Sequence, residues 1–185
     1  IMTVSKTLGG GMPLAAVITN DEVEDVCHRR GFAFYTSHVS DPLPSAVGLA
    51  VLETIESEHL LQRSRDMGDY LAGGLRELQS RHEEIGDVRG MGLLRGIELV
   101  RDRETREPHH ELGALTTQRC LELGLSMNIR RRPERGSVWR IAPPLTVTKA
   151  DIDLAMTIFD QALVEAKDTL AARSTAGKTL ARRIA

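Results

Sequence analysis

The chain has 185 residues, 41% apolar and 27% charged, with 24 Lys plus Arg against 26 Asp plus Glu. That length suffices to bury a core, and the near-neutral balance gives little support to a nucleic-acid partner, which a basic excess would signal. No apolar run approaches the roughly 18 residues that cross a bilayer, no charged-then-apolar leader opens the chain, and Cys27 and Cys120 form neither a disulfide framework nor a zinc spacing, so the expectation is a cytoplasmic protein with no membrane role.

The chain opens on Ile1-Met2-Thr3-Val4-Ser5, already strand-like and without a lead-in loop, and reads as the C-terminal portion of a longer polypeptide. Residues 1–4 and 14–18 read as short buried strands flanking Gly9-Gly10-Gly11-Met12-Pro13. Residues 21–30 start with acids and end with arginines, the order the helix dipole favours. Residues 33–36 read as a strand or an extended segment. Asp41-Pro42 suits a helix start, with Pro44 to Ser57 following. Leu60, Met67, Leu71, Leu75 and Leu78 mark a long amphipathic helix over 59–80, suited to connecting two domains. Residues 85–88, 93–100, 125–129 and 138–141 are strand candidates, with a helix over 112–123 ended by Gly124. Thr148 and Asp151 predict a capping box opening a last helix. Residues 167–185 are either the end of that helix or a mobile tail. The division is thus 1–58, a connecting helix 59–80, a small α+β domain 81–166, and the tail.

The informative cluster is Ser5-Lys6-Thr7-Leu8-Gly9-Gly10-Gly11-Met12-Pro13. Glycines permit positive φ and let backbone approach a bulky ligand. A lysine at a strand end, sheltered from water, is a nucleophilic amine, which fits condensation with the aldehyde of pyridoxal phosphate. By themselves, Ser37 reads as a strand-end hydroxyl bonded to nearby backbone, Asp41 as a helix-start residue, and Arg140 as half of a structural ion pair.

Ser5-Lys6-Thr7 with its glycine run and Pro13-Leu14-Ala15-Ala16 resembles the cofactor-lysine region of the class III (ω-type) aminotransferases. Residues 34–49, and above all His38-Val39-Ser40-Asp41-Pro42-Leu43-Pro44, resemble that family's 2,2-dialkylglycine decarboxylase branch. Residues 85–94, 125–129 and 139–147 continue the likeness in order. The resemblance implies an α/β chain of fold type I, comprising the end of the large pyridoxal-phosphate domain and a C-terminal small α+β domain. It implies Lys6 as the cofactor-bound lysine and proton carrier. Ser37, where the family has threonine, would donate its hydroxyl to the cofactor phosphate across a dimer interface. Arg140 would grip the substrate carboxylate, a task suited to its two-pronged guanidinium. Oxygens of Ser37, Val39 and Asp41 would hold an alkali ion, K+ or Na+. The implied reaction is decarboxylation of a dialkylglycine such as 2-aminoisobutyrate, coupled to amination of pyruvate. General ω-amino transfer and a non-catalytic interaction domain are the alternatives. Amino-acid and keto-acid substrates and a homodimer or dimer of dimers follow. The family's contacts to the pyridine nitrogen and most of the phosphate precede the lysine, so these 185 residues alone are expected to be inactive.

Other patterns carry less. Ala172 to Thr179 imitates a phosphate loop but lacks the preceding strand. The spacing of Gly90, Gly92 and Gly96 departs from the dinucleotide fingerprint. His82-Glu83-Glu84 lacks the second histidine of a zinc protease, and His109-His110 and residues 130–132 read as solvated loops.

Overall fold

The computed structural model describes every residue except Ser40, Asn128, residues 133–135 and Ala185, with the side chains of 128–136 and 176–185 also left out of the description. The chain divides into two compact units, Ile1–Leu61 and Gln62–Ala185.

In the first unit, β1 (Met2–Ser5) and β2 (Ala15–Ile18) form an antiparallel ribbon with Met2 opposite Ile18 and Ser5 opposite Ala15. A 3-10 turn, Lys6–Gly9, leads out of β1. Helix α1 (Asp21–Arg29) is capped by Asn20, whose side chain accepts the Val23 N–H at 3.1 Å. Helix α2 (Pro42–Ser57) starts on Pro42, whose missing N–H is no loss at a helix start. The two strands form within a residue of the positions expected but are not buried as expected, because a two-stranded ribbon has no second layer to cover it. Residues 33–36 form no strand, and Phe34 and Tyr35 are exposed.

The second unit is built on a four-stranded antiparallel sheet, order β3 (Ile85–Met91), β4 (Leu94–Leu99), β6 (Gly136–Ile141), β5 (Ile129–Arg132). Helices α3 (Leu60–Arg81), α4 (His110–Glu122) and α5 (Lys149–Ile184) supply the other side of its core. Met67, Leu71, Leu75 and Leu78, at helical spacing on α3, meet Ile97, Leu99 and Trp139 from the sheet and Ile152, Phe159 and Leu163 from α5. Trp139 and Phe159 stack edge to face, centroids 4.9 Å apart, and the indole N–H donates to Thr117 Oγ1 at 2.9 Å. The helix that reads as a connector therefore carries a stripe of this core.

Local chemistry sets the element ends. Helix α4 closes in a Schellman arrangement: Gly124, at φ +96°, donates to Leu121 and Leu125 donates to the Cys120 carbonyl at 2.7 Å. That engages the Leu125 N–H, and residues 125–127 form no strand; β5 begins only at Ile129. The predicted capping box forms, with the Thr148 N–H and hydroxyl donating to Asp151 and the Asp151 N–H donating to Thr148 Oγ1. These hydrogen bonds from Thr148 hold the Asp151 carboxyl below its ordinary value. Residues 167–184 continue α5. Among the described residues no helix is long and apolar enough to cross a membrane.

Two glycines fix how α3 meets the sheet. A Cβ on Gly68 would lie 2.3 Å from the carbonyl carbon of Gly92, which sits at φ +51° in the two-residue β3–β4 turn. Arg95, buried beside this contact, donates to the Gly68 carbonyl at 2.9 Å and to the Gly90 carbonyl at 2.9 Å. Gly68→Ala must push backbone from backbone and should destabilise the second unit by at least about 2 kcal/mol. A urea midpoint unchanged by this substitution would show that the helix and turn can separate freely.

Candidate functional site

Lys6 opens the 3-10 turn with φ +58°, in the left-handed region. A residue with a Cβ pays about 1–2 kcal/mol there, and persists only where its surroundings over-determine the backbone. Those surroundings are visible. The ribbon register pins Ser5 to Ala15, and between them Gly10 at φ +54° donates to the Thr7 carbonyl while Met12 donates to Gly9. Helix α2 presses on the loop: a Cβ on Gly48 would sit 2.4 Å from Leu14 Cδ2, and one on Gly10 would sit 3.2 Å from Val51 Cγ2. The lysine backbone is clamped, but its side chain is exposed and has no hydrogen bond or ion pair among the described residues. The shelter expected for its amine is not supplied by the described residues.

Ser37, Val39 and Asp41 lie on the loop that leads into α2, the helix that presses on the Lys6 turn. Ser37 is exposed in a turn where Val39 donates to the Thr36 carbonyl at 3.3 Å. The local backbone bond anticipated for Ser37 is made by Thr36, whose Oγ1 accepts the His38 N–H at 3.2 Å. Asp41 gives no side-chain cap to α2; its Oδ2 meets His38 Nδ1 at 2.8 Å, while its carbonyl accepts both the N–H and the hydroxyl of Ser45. An alkali ion bound here would share that carboxylate with His38. Among the described residues no group of three or more His, Cys, Asp and Glu side chains is placed to hold a metal ion.

Arg140 stands near the end of β6 in the second unit. Strand alternation decides its direction: Ser137 and Trp139 are buried on the helix-covered face, so Val138 and Arg140 take the other, more accessible one. Arg140 lies opposite Gly96 on β4 and is exposed. The structural ion pair that a lone arginine suggests does not form; Arg140 has no hydrogen-bond or ion-pair partner among the described residues. The segment after it is held by Arg63 of α3, which donates to the carbonyls of Leu145, Thr146 and Val147 at 2.8 to 3.0 Å. That anchorage and Pro143-Pro144 stiffen the strand end that carries the guanidinium.

On the same face, Arg89 of β3 also lies opposite Gly96, from the other side. Its Nη1 donates to Asp87 at 2.6 Å and to Glu98 at 3.0 Å. The hydrogen bond to Asp87 leads in holding the guanidinium above its usual value. Sequence reasoning passed over this trio. Asp87-x-Arg89 and Gly96-x-Glu98 each show two-residue spacing, but their meeting depends on a strand register that spacing alone does not give.

Cys120 is buried and its thiol is pushed up to about 12 by that burial, which makes it inert. Residues 172–179 lie within α5 rather than in a phosphate-binding loop.

Comparison with known proteins bears on this geometry. Residues 1–163 match the class III aminotransferase family. An uncharacterised aminotransferase of Schizosaccharomyces pombe is 47% identical over 163 residues, covering 88% of this chain and 36% of that protein. A leucine/methionine racemase of Thermococcus litoralis is 38% identical over 168 residues, covering 91% of this chain and 37% of the racemase. Among solved structures, an ω-transaminase of Pseudomonas jessenii in complex with PMP superimposes with a TM-score of 0.78 at 28% identity, covering 92% of this chain and 38% of the other. The chain thus spans little more than a third of the length of each of these proteins, and it is an α/β segment matching part of the fold type I architecture.

The left-handed lysine has a measurable consequence. In cofactor-free protein Lys6→Gly should raise stability by about 1 kcal/mol by releasing the positive-φ penalty, read as a higher urea midpoint, whereas Lys6→Ala should give no such gain. Equal midpoints for the two variants would show that the turn carries no strain.

Proposed function

The chain belongs to the class III aminotransferase family, and on that premise we propose that it forms the C-terminal part of an enzyme moving an amino group between an amino acid and a keto acid with pyridoxal phosphate. The observation that carries this reading is Lys6: an unpartnered primary amine whose backbone is clamped in the left-handed region between a strand and a glycine turn. A free amine, and the Ser37 hydroxyl on the loop leading into α2, are the two kinds of group suited to an aldehyde that also carries a phosphate. Bound pyridoxal phosphate supplies the electron sink that lets a bond at the substrate α-carbon break.

This chain's residues do the rest. Lys6 would hold the cofactor at its aldehyde carbon, and its amine would carry the proton moved at the substrate α-carbon. Ser37 donates its hydroxyl to the phosphate, in a dimer or dimer of dimers where one copy serves its partner's cofactor. Arg140 offers two parallel N–H donors to the substrate carboxylate, which fixes the orientation of the bond that breaks.

A second reading, decarboxylation of 2,2-dialkylglycines with pyruvate as amino acceptor, is favoured by residues 38–44. In it the oxygens of Ser37, Val39 and Asp41 take K+ or Na+. The relatives described above are named for amino transfer and for racemisation, which puts general amino transfer first.

Borohydride reduction of the whole enzyme with pyridoxal phosphate should fix the cofactor on the peptide containing Lys6. Lys6→Ala should abolish that adduct and slow amino transfer by at least about 10³-fold, while Lys178→Ala should alter neither. An adduct on any other lysine overturns the proposal. Carbon dioxide released from 2-aminoisobutyrate, in an amount matching the ketone formed, would instead select the decarboxylase reading.

A further inference from the structure

Among the described residues Arg140 has no partner, although a carboxylate stands within reach. On β4, Gly96 lies between Arg89 and Arg140, and Glu98 is two residues further along the same face, diagonal to both. Diagonal neighbours in an antiparallel pair are about 7–8 Å apart, close enough for long side chains to meet. Gly96 has no side chain to stand between the two arginine stems. Glu98 is therefore placed where either guanidinium could take it, and Arg89 has it, with Nη1 at 3.0 Å.

Asp87 sharpens the arrangement, because the register puts it directly across from Glu98. Two carboxylates so placed repel, and Arg89 bridges both. The Glu98 side chain is only 18% exposed, so water would neutralise it poorly if Arg89 were absent. Among the described residues, Arg140 would then be the unpaired cation diagonal to Glu98 on the neighbouring strand. Arg95 is no substitute, since it points to the opposite face and is engaged by the Gly68 and Gly90 carbonyls.

We propose that Arg89 is a positioning residue for substrate binding: by holding Glu98 and Asp87 it keeps Arg140 free for the carboxylate of the amino or keto acid. The proposal rests on the reading of Arg140 as the carboxylate-binding residue. It assigns Arg89 no contact with substrate; its effect passes through Glu98.

The test uses the holoenzyme and its first half-reaction, followed by the change in cofactor absorbance. Two donors are compared, alanine and a primary amine without a carboxylate, such as 1-phenylethylamine. Arg89→Gln should raise the KM for alanine about tenfold, the size of one lost charge-assisted hydrogen bond, and leave the amine donor unchanged. Adding Glu98→Gln in that background should restore the alanine KM to near its starting value, because the competing charge is gone. Glu98→Gln alone should leave alanine binding unaltered, which keeps the proposal open to test if the first variant does not fold. Equal losses for both donors, absence of rescue, or a tenfold weaker alanine KM in the single Glu98 variant would each overturn it. An Arg140→Leu variant that binds alanine normally would remove the underlying assignment of Arg140 instead, a result distinguishable from the others.

Discussion

A strand on a one-sided sheet can bury only alternate residues, and the second unit is organised by that constraint. In β4, Arg95, Ile97 and Leu99 go inward to α3, α4 and α5, while Leu94, Gly96 and Glu98 remain on the other face. In β6, Trp139 is sealed against Phe159 and Arg140 is consequently turned outward. The core and the outward direction of Arg140 are two readings of one periodicity. A slip of a single residue in β6 would bury a guanidinium and expose an indole, so the apolar packing of Trp139 itself fixes the direction in which Arg140 points.

The first unit works by a different principle. It has little interior of its own; α2 is apolar on most of its surface, and Leu43, Leu49 and Leu52 are exposed. Its order comes from close packing on three glycines, Leu14 against Gly9 and Gly48, and Val47 and Val51 against Gly10. Small residues let α2 press on the turn that starts at Lys6, and the same helix is fed by the loop bearing Ser37 and Asp41. Lysine, hydroxyl and carboxylate are thereby carried on two segments held by one helix. A helix with this composition is ordinarily covered on several sides, in keeping with a chain that spans little more than a third of the relatives' length.

Elements governed by local rules were legible before the structure. The α3 stripe followed from leucine spacing, the start of α5 from Thr148 and Asp151, and the end of α4 from Gly124. The roles proposed for Lys6 and Arg140 come from resemblance, and the ion pair that residue chemistry alone favoured for Arg140 does not form among the described residues. Features that depend on long-range register were not legible. Nothing local indicates that Gly68 touches Gly92, that Arg95 is buried against two carbonyls, or that Arg89 reaches Glu98 from another strand. The strand expected over 125–129 started late because the Schellman closure of α4 took the Leu125 N–H, a competition that a hydrophobicity pattern does not record.

Trp139 is the chain's sole tryptophan, and it lies wholly inside the second unit, edge-on to Phe159 and bonded to Thr117. Indole emission therefore reports on one half of the molecule and is blind to the other. A fluorescence melt would register the collapse of the sheet around β6 while the ribbon carrying Lys6 came apart unseen, so tracking the lysine-bearing half calls for a probe placed on that half.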